Sequence, residues 1–66
     1  MKAKITQTYQ DGLTGNVVRK GDIFEIIEDK PEYGFVTGEF INIGSRFTMN
    51  VWRTAFKKID YLAQNP

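Results

Sequence analysis

The stretch Val17-Val18-Arg19-Lys20-Gly21-Asp22-Ile23-Phe24-Glu25-Ile26-Ile27 decides the fold class. Val17 and Val18 are β-branched and favour extended backbone. Arg19-Lys20-Gly21-Asp22 interrupts them as a turn, because glycine accepts positive φ and aspartate bonds nearby backbone. Ile23 to Glu28 then reads as a strongly β-prone strand, and its mixed parity predicts apolar contact on both faces.

Toward the N-terminus, Met1, Ala3, Ile5 and Tyr9 share one parity against Lys2, Lys4, Thr6 and Thr8. That is the period-2 mark of a half-buried strand, broken at Gln7. Gln10 to Asn16, with Asp11-Gly12 and Gly15-Asn16, reads as a loop or distorted hairpin tip. Toward the C-terminus, Asp29-Lys30-Pro31-Glu32 is a turn, and Tyr33 to Gly38 a third strand. Phe40 to Ile43 extends that strand or begins a hairpin arm, and Gly44-Ser45 turns the chain. Arg46 to Val51 alternates, with Phe47, Met49 and Val51 on one side. Trp52 to Ala55 reads as a short 3₁₀ or helical turn and Phe56 to Ile59 as a last strand. Tyr61 and Leu62 are expected to cover the barrel end, with residues 63–66 as a frayed tail.

One alternative competes with this reading. Trp52, Ala55, Phe56, Ile59 and Leu62 have helical spacing, so a terminal helix packed on a four-stranded sheet also fits. Thr54, Phe56, Ile59 and Tyr61 favour strand, and no C-cap glycine follows, so the turn plus strand is preferred. Five short strands at even spacing between glycine and proline turns predict an all-β fold, a small barrel or sandwich, with a five-stranded barrel preferred and one domain over residues 1–62. Phe24, Phe35, Phe47 and Phe56 are the expected core.

The 66 residues limit the chain to a single thin-cored domain, in which roughly 60% of the unfolded surface can be buried. With no cysteine and no histidine, neither a disulfide nor a zinc site of ordinary type can staple it. No apolar run approaches the roughly 20 residues of a membrane helix, and the alternating first nine residues do not form a signal peptide. A soluble, cytoplasmic protein is expected. The net charge of +1 hides a pattern. Lys2, Lys4, Arg19 and Lys20 at one end and Arg46, Arg53, Lys57 and Lys58 at the other flank an acidic middle of Asp22, Glu25, Glu28, Asp29, Glu32 and Glu39.

The run Val17 to Ile27 resembles the part of SH3 domains in which a diverging Lys-Gly-Asp turn feeds an apolar strand. Tyr33 to Gly38 sits where such domains carry their aromatic third strand, and Phe47 to Ile59 is similar to their closing strand, 3₁₀ turn and final strand. The resemblance spans residues 3–60 and implies an SH3-like barrel; Tudor-like and other small barrels open the same way. It does not carry polyproline recognition with it. The first loop holds only Asp11, the third strand has no tryptophan, and no proline precedes the 3₁₀-like turn. Only Tyr9 and Trp52 map onto the aromatic groove such recognition requires.

The missing residue types set the function classes. Without histidine or cysteine the commonest general base and the strongest nucleophile are absent, and Ser45, the lone serine, has no base to activate it. Glu25 with Glu28 and Asp29 with Glu32 lack the ligand count and glycine spacing of a calcium loop, and no phosphate-loop pattern surrounds Gly34, Gly38 and Gly44. The expectation is a non-catalytic chain with no cofactor and no metal. As a protein-interaction module of accessory or inhibitor type, it would bind a protein partner through Tyr9, Tyr33, Phe40, Trp52 and Arg53. A stand-alone accessory protein of a bacterium or a phage is the expectation. A nucleic-acid-binding barrel would instead use Lys2, Lys4, Arg53, Lys57 and Lys58, gathered where first and last strands meet. A structural subunit of an assembly, with self-association through opposed charges, is the third reading.

Overall fold

The computed structural model describes residues 1–42 and 44–59; the expected cover by Tyr61 and Leu62 and the frayed tail lie outside them. Among the described residues, seven strands and one 3₁₀ turn follow in order. They are β1 (Lys2–Ile5), β2 (Tyr9–Gln10), β3 (Val17–Val18), β4 (Ile23–Glu28), β5 (Phe35–Asn42), β6 (Ser45–Trp52), the turn Arg53–Ala55 and β7 (Phe56–Lys58). The described chain is all-β. Turn and strand, not a continuous helix, occupy residues 53–58.

The first strand of the sequence reading divides at the Gln7 interruption. Its second piece leaves the main sheet and pairs as β2 with β3, Tyr9 opposite Val18, in a two-stranded ribbon. The other five strands form an antiparallel sheet in the order β6-β5-β4-β1-β7. The edges β6 and β7 do not pair with each other, so these strands do not close into the expected barrel.

The Lys20-Gly21-Asp22 turn binds the end of β1. Gly21 N–H donates to Ile5 C=O and Ile5 N–H to Asp22 C=O, each at 2.8 Å, while the Asp22 carboxylate accepts Arg19 N–H at 2.9 Å. Gly21 sits at φ 99°, a conformation other residues reach only with strain. The glycine is therefore required by the geometry that hands β4 to the sheet.

Parity selects the core. Ala3 and Ile5 of β1, Phe24 of β4, Val36 and Phe40 of β5, and Met49 and Val51 of β6 point inward, joined by Val18 and Ala55. Each large apolar side chain so buried contributes roughly 1.5–3 kcal/mol. An aromatic row crosses this face. Phe56 meets Phe24 edge-on at 5.6 Å, Phe24 stacks on Phe40 at 4.8 Å, and Phe40 stacks on Phe47 at 5.2 Å. Gly38 makes the row possible, because a Cβ there would lie 2.5 Å from the Phe24 ring. Of the expected core phenylalanines, Phe24 is buried and Phe47 and Phe56 are half-buried. Phe35 is a correction: it lies on the opposite parity of β5 from Val36, also half-buried, and faces outward. The mixed parity of β4 has a local cause in the register shift between Ile26 and Glu28, which leaves Ile27 exposed.

Candidate functional site

The outward face of β5 and β6 carries a second aromatic group. Phe35 and Trp52 are cross-strand partners, so their side chains share a face and meet edge-on at 5.9 Å. Tyr33 stacks on Phe35 at 5.3 Å, with the Lys30 ammonium 5.5 Å from its ring centroid. Trp52 is 59% exposed, and its ring lies over Gly34, where an added Cβ would come within 3.6 Å of it. Large aromatic rings left this open are where proteins place contact energy, not core energy.

The ribbon tip forms the facing wall. Asp11, Gly12 and Leu13 stand across from Phe35, Asn50 and Trp52 and enclose an open groove of about 340 Å³. Leu13 is 91% exposed. Asp11 shapes the tip: its carboxylate accepts Thr14 N–H at 3.0 Å and the Thr14 hydroxyl at 2.6 Å, which holds its pKa below the ordinary value. Tyr9 fastens the ribbon to the sheet by donating its hydroxyl to Asn50 C=O at 3.2 Å. Partial burial raises its phenol pKa, opposed by a backbone bond from Trp52.

Arg53 braces the groove from behind. Its Nε donates to Tyr33 C=O at 2.8 Å, and one terminal nitrogen donates to Lys30 C=O at 2.8 Å and to Asp29 Oδ1 at 2.7 Å. Its backbone N–H donates to Gly34 C=O. Asp29 also pairs with Lys58 at 3.1 Å. Arg53 first, then Lys58, hold the Asp29 carboxyl below its ordinary range. Arginine suits this work because its planar fork binds several acceptors from one fixed position.

The five residues expected to bind a protein thus take different places. Trp52 lines the groove, and Tyr33 continues its aromatic surface through Phe35. Tyr9 anchors the opposite wall, and Arg53 stabilises the loop carrying Tyr33. Phe40, expected beside an exposed patch, is instead in the core at 5% exposure, stacked between Phe24 and Phe47. Sequence reading missed Leu13 and Phe35. A leucine set between Asp11-Gly12 and Thr14-Gly15 was the available sign, since a turn has no reason of its own to hold one.

The basic residues divide. Lys4 and Lys57 are cross-strand partners, and Lys2 follows Lys4 on the same face beside Glu25. Lys58 is on the other parity with Asp29, and Arg53 is occupied by its loop. Glu25 pairs with the N-terminal ammonium, which lowers its pKa. Among the described residues no cluster of acidic side chains could hold a metal ion, and no helix is long and apolar enough to cross a membrane. Comparison with protein-family models, curated proteins and solved structures finds no match to this chain.

Proposed function

We propose that this chain is a small, non-catalytic protein-interaction module that takes an extended apolar segment of a protein partner into the groove between Leu13 and Trp52. The observation that carries the reading is the convergence of Leu13, from the ribbon tip, with Phe35 and Trp52, from the five-stranded sheet, on one open groove while the core is filled elsewhere. Exposed apolar side chains gathered into one rimmed patch mark interaction surfaces far more often than scattered ones. Two features support an SH3-like architecture: the diverging turn at Lys20-Gly21-Asp22, and the 3₁₀ turn that brings the last strand beside the first. The five-stranded barrel reading rests on that likeness.

A nucleic-acid reading keeps Lys2, Lys4 and Lys57, which adjoin across β1 and β7. Three lysines beside Glu25, away from the aromatic groove, supply charge without a stacking surface, so this reading is the weaker one.

Affinity capture from the native host tests the proposal with Trp52→Ala and Leu13→Asp beside the unaltered protein. Both side chains are mostly exposed, so each variant should keep its fold and lie within about 1 kcal/mol of the parent's stability. The expected result is one protein partner retained by the parent and lost by both variants. A captured species insensitive to both substitutions, but released by Lys57→Glu and by salt, would sink the groove reading in favour of nucleic acid.

A further inference from the structure

Gly12 is the glycine that the fold does not call on. Gly15, Gly21 and Gly44 take positive φ, Gly38 makes room for the Phe24 ring, and Gly34 packs against Trp52. Gly12 has no positive φ, and an added Cβ would meet no atom within 4 Å. What sets it apart is the residue before it. A glycine that follows aspartate leaves its amide nitrogen unshielded beside the aspartate carboxyl, the arrangement in which aspartyl peptides cyclise most readily.

In that reaction the Gly12 nitrogen attacks Asp11 Cγ, and the new C–N bond closes a five-membered succinimide. One carboxyl oxygen leaves as water, carrying the carboxylic-acid proton and the amide proton. Water then opens either ring carbonyl and returns aspartate or isoaspartate, with no net change in composition. Closure proceeds from the protonated carboxyl, because the carboxylate is a poor electrophile, and it needs a side chain free to bring Cγ to the next nitrogen. The ribbon tip opposes both conditions. Asp11 Oδ2 accepts Thr14 N–H at 3.0 Å and the Thr14 hydroxyl at 2.6 Å, so the carboxyl is engaged three residues ahead. Thr14 Oγ1 is itself placed by Asn16 N–H at 3.3 Å, and Asp11 C=O accepts Gly15 N–H at 2.9 Å. The bonds from Thr14 also favour the ionised carboxyl, whose pKa is lowered.

We propose that Asp11-Gly12 is a covalent modification site, a succinimide- and isoaspartate-forming peptide bond that the Thr14 hydroxyl holds in check in the folded chain. Thr14 is a positioning residue here: it keeps the electrophilic carbon from the Gly12 nitrogen and the carboxyl charged. The location gives the reaction a structural consequence. Isoaspartate adds one carbon to the main chain between Asp11 and Gly12 and removes one from the side chain. That change shifts Gly12 and Leu13 in the wall that faces Phe35 and Trp52. An opened tip can therefore be fixed as a lasting change in the groove wall. The chemistry is the same whatever the groove takes up.

Long incubation of the full chain at neutral pH in heavy-oxygen water tests this, beside Thr14→Val, Thr14→Ser and Gly12→Ala. Heavy oxygen marks every succinimide that opens, and peptide mapping reads isoaspartate at Asp11. The folded parent should react far more slowly than the same chain in guanidinium chloride. Thr14→Val keeps the backbone bond and loses the hydroxyl, so the folded variant should react roughly tenfold faster than the folded parent, the scale set by one lost hydrogen bond. Thr14→Ser restores the hydroxyl and should match the parent. Gly12→Ala, for which the fold leaves space, should suppress the product both folded and in guanidinium chloride. A parent that reacts equally fast folded and denatured overturns the inference. So does a folded Thr14→Val as slow as the parent, or a denatured Gly12→Ala as fast as the denatured parent. Should Thr14→Val not fold, Thr14→Ala takes its place under the same outcomes.

Discussion

At the scale of single residues, Gly38 and Arg53 illustrate two kinds of constraint. Gly38 has no conformational need of its own; it is small because the Phe24 ring occupies the space of its side chain. Gly38→Ala would ordinarily favour a strand by reducing unfolded-state entropy. Here the added methyl must displace Phe24, and through it Phe40 and Phe56, so a net loss of about 1–3 kcal/mol is expected by denaturant titration. A stability equal to the parent's would show that the aromatic row can shift freely. Phe24 as a core residue was legible from its place in an apolar strand. The need for a glycine opposite it was not, because a close approach between strands has no local pattern. Arg53 was legible as a special cation beside Trp52, yet its acceptors are mostly backbone carbonyls, which leave no trace in sequence.

At the scale of elements, the turns and alternating strands were readable because period-2 burial and glycine or proline turns are local signals. Phe47, Met49 and Val51 share the inner face of β6 as their spacing predicts. The divergence of β2 from β1 was hidden, since Tyr9 keeps the parity of Ile5 across the break at Gln7. The loop Asp29–Gly34 is held by the Asp29 carboxylate against Arg53 and Lys58. Because the folded-state pKa of Asp29 is lowered, its contribution is present above the ordinary carboxylate value of 3.8 and is lost as pH falls through the depressed folded value. Glu25 and Asp11 shift in the same direction and add to the same acid loss. Stability should therefore decline below about pH 4. Asp29→Asn should flatten part of that decline and speed amide exchange at Tyr33 and Gly34 at neutral pH. Exchange equal to the parent's would show that the loop does not depend on the ion pairs.

At the scale of the whole molecule, the strand order β6-β5-β4-β1-β7 could not be derived from periodicity, which fixes which face a residue takes but not which strand lies beside it. The approach of first and last strands was implied by the SH3 resemblance, and β1 and β7 do pair. The joining of ribbon tip and outer sheet face into one groove arises only from this assembly, which is why Trp52 was singled out from sequence and Leu13 was not. Partner binding in the groove can be read from an amide and indole NMR map of the ¹⁵N-labelled chain as the captured protein partner is added. Shifts are expected at the Trp52 indole N–H and at the amides of Gly12, Leu13 and Phe35, with Lys2, Lys4 and Lys57 unmoved. Shifts centred on those three lysines, with the Trp52 indole unchanged, would contradict it.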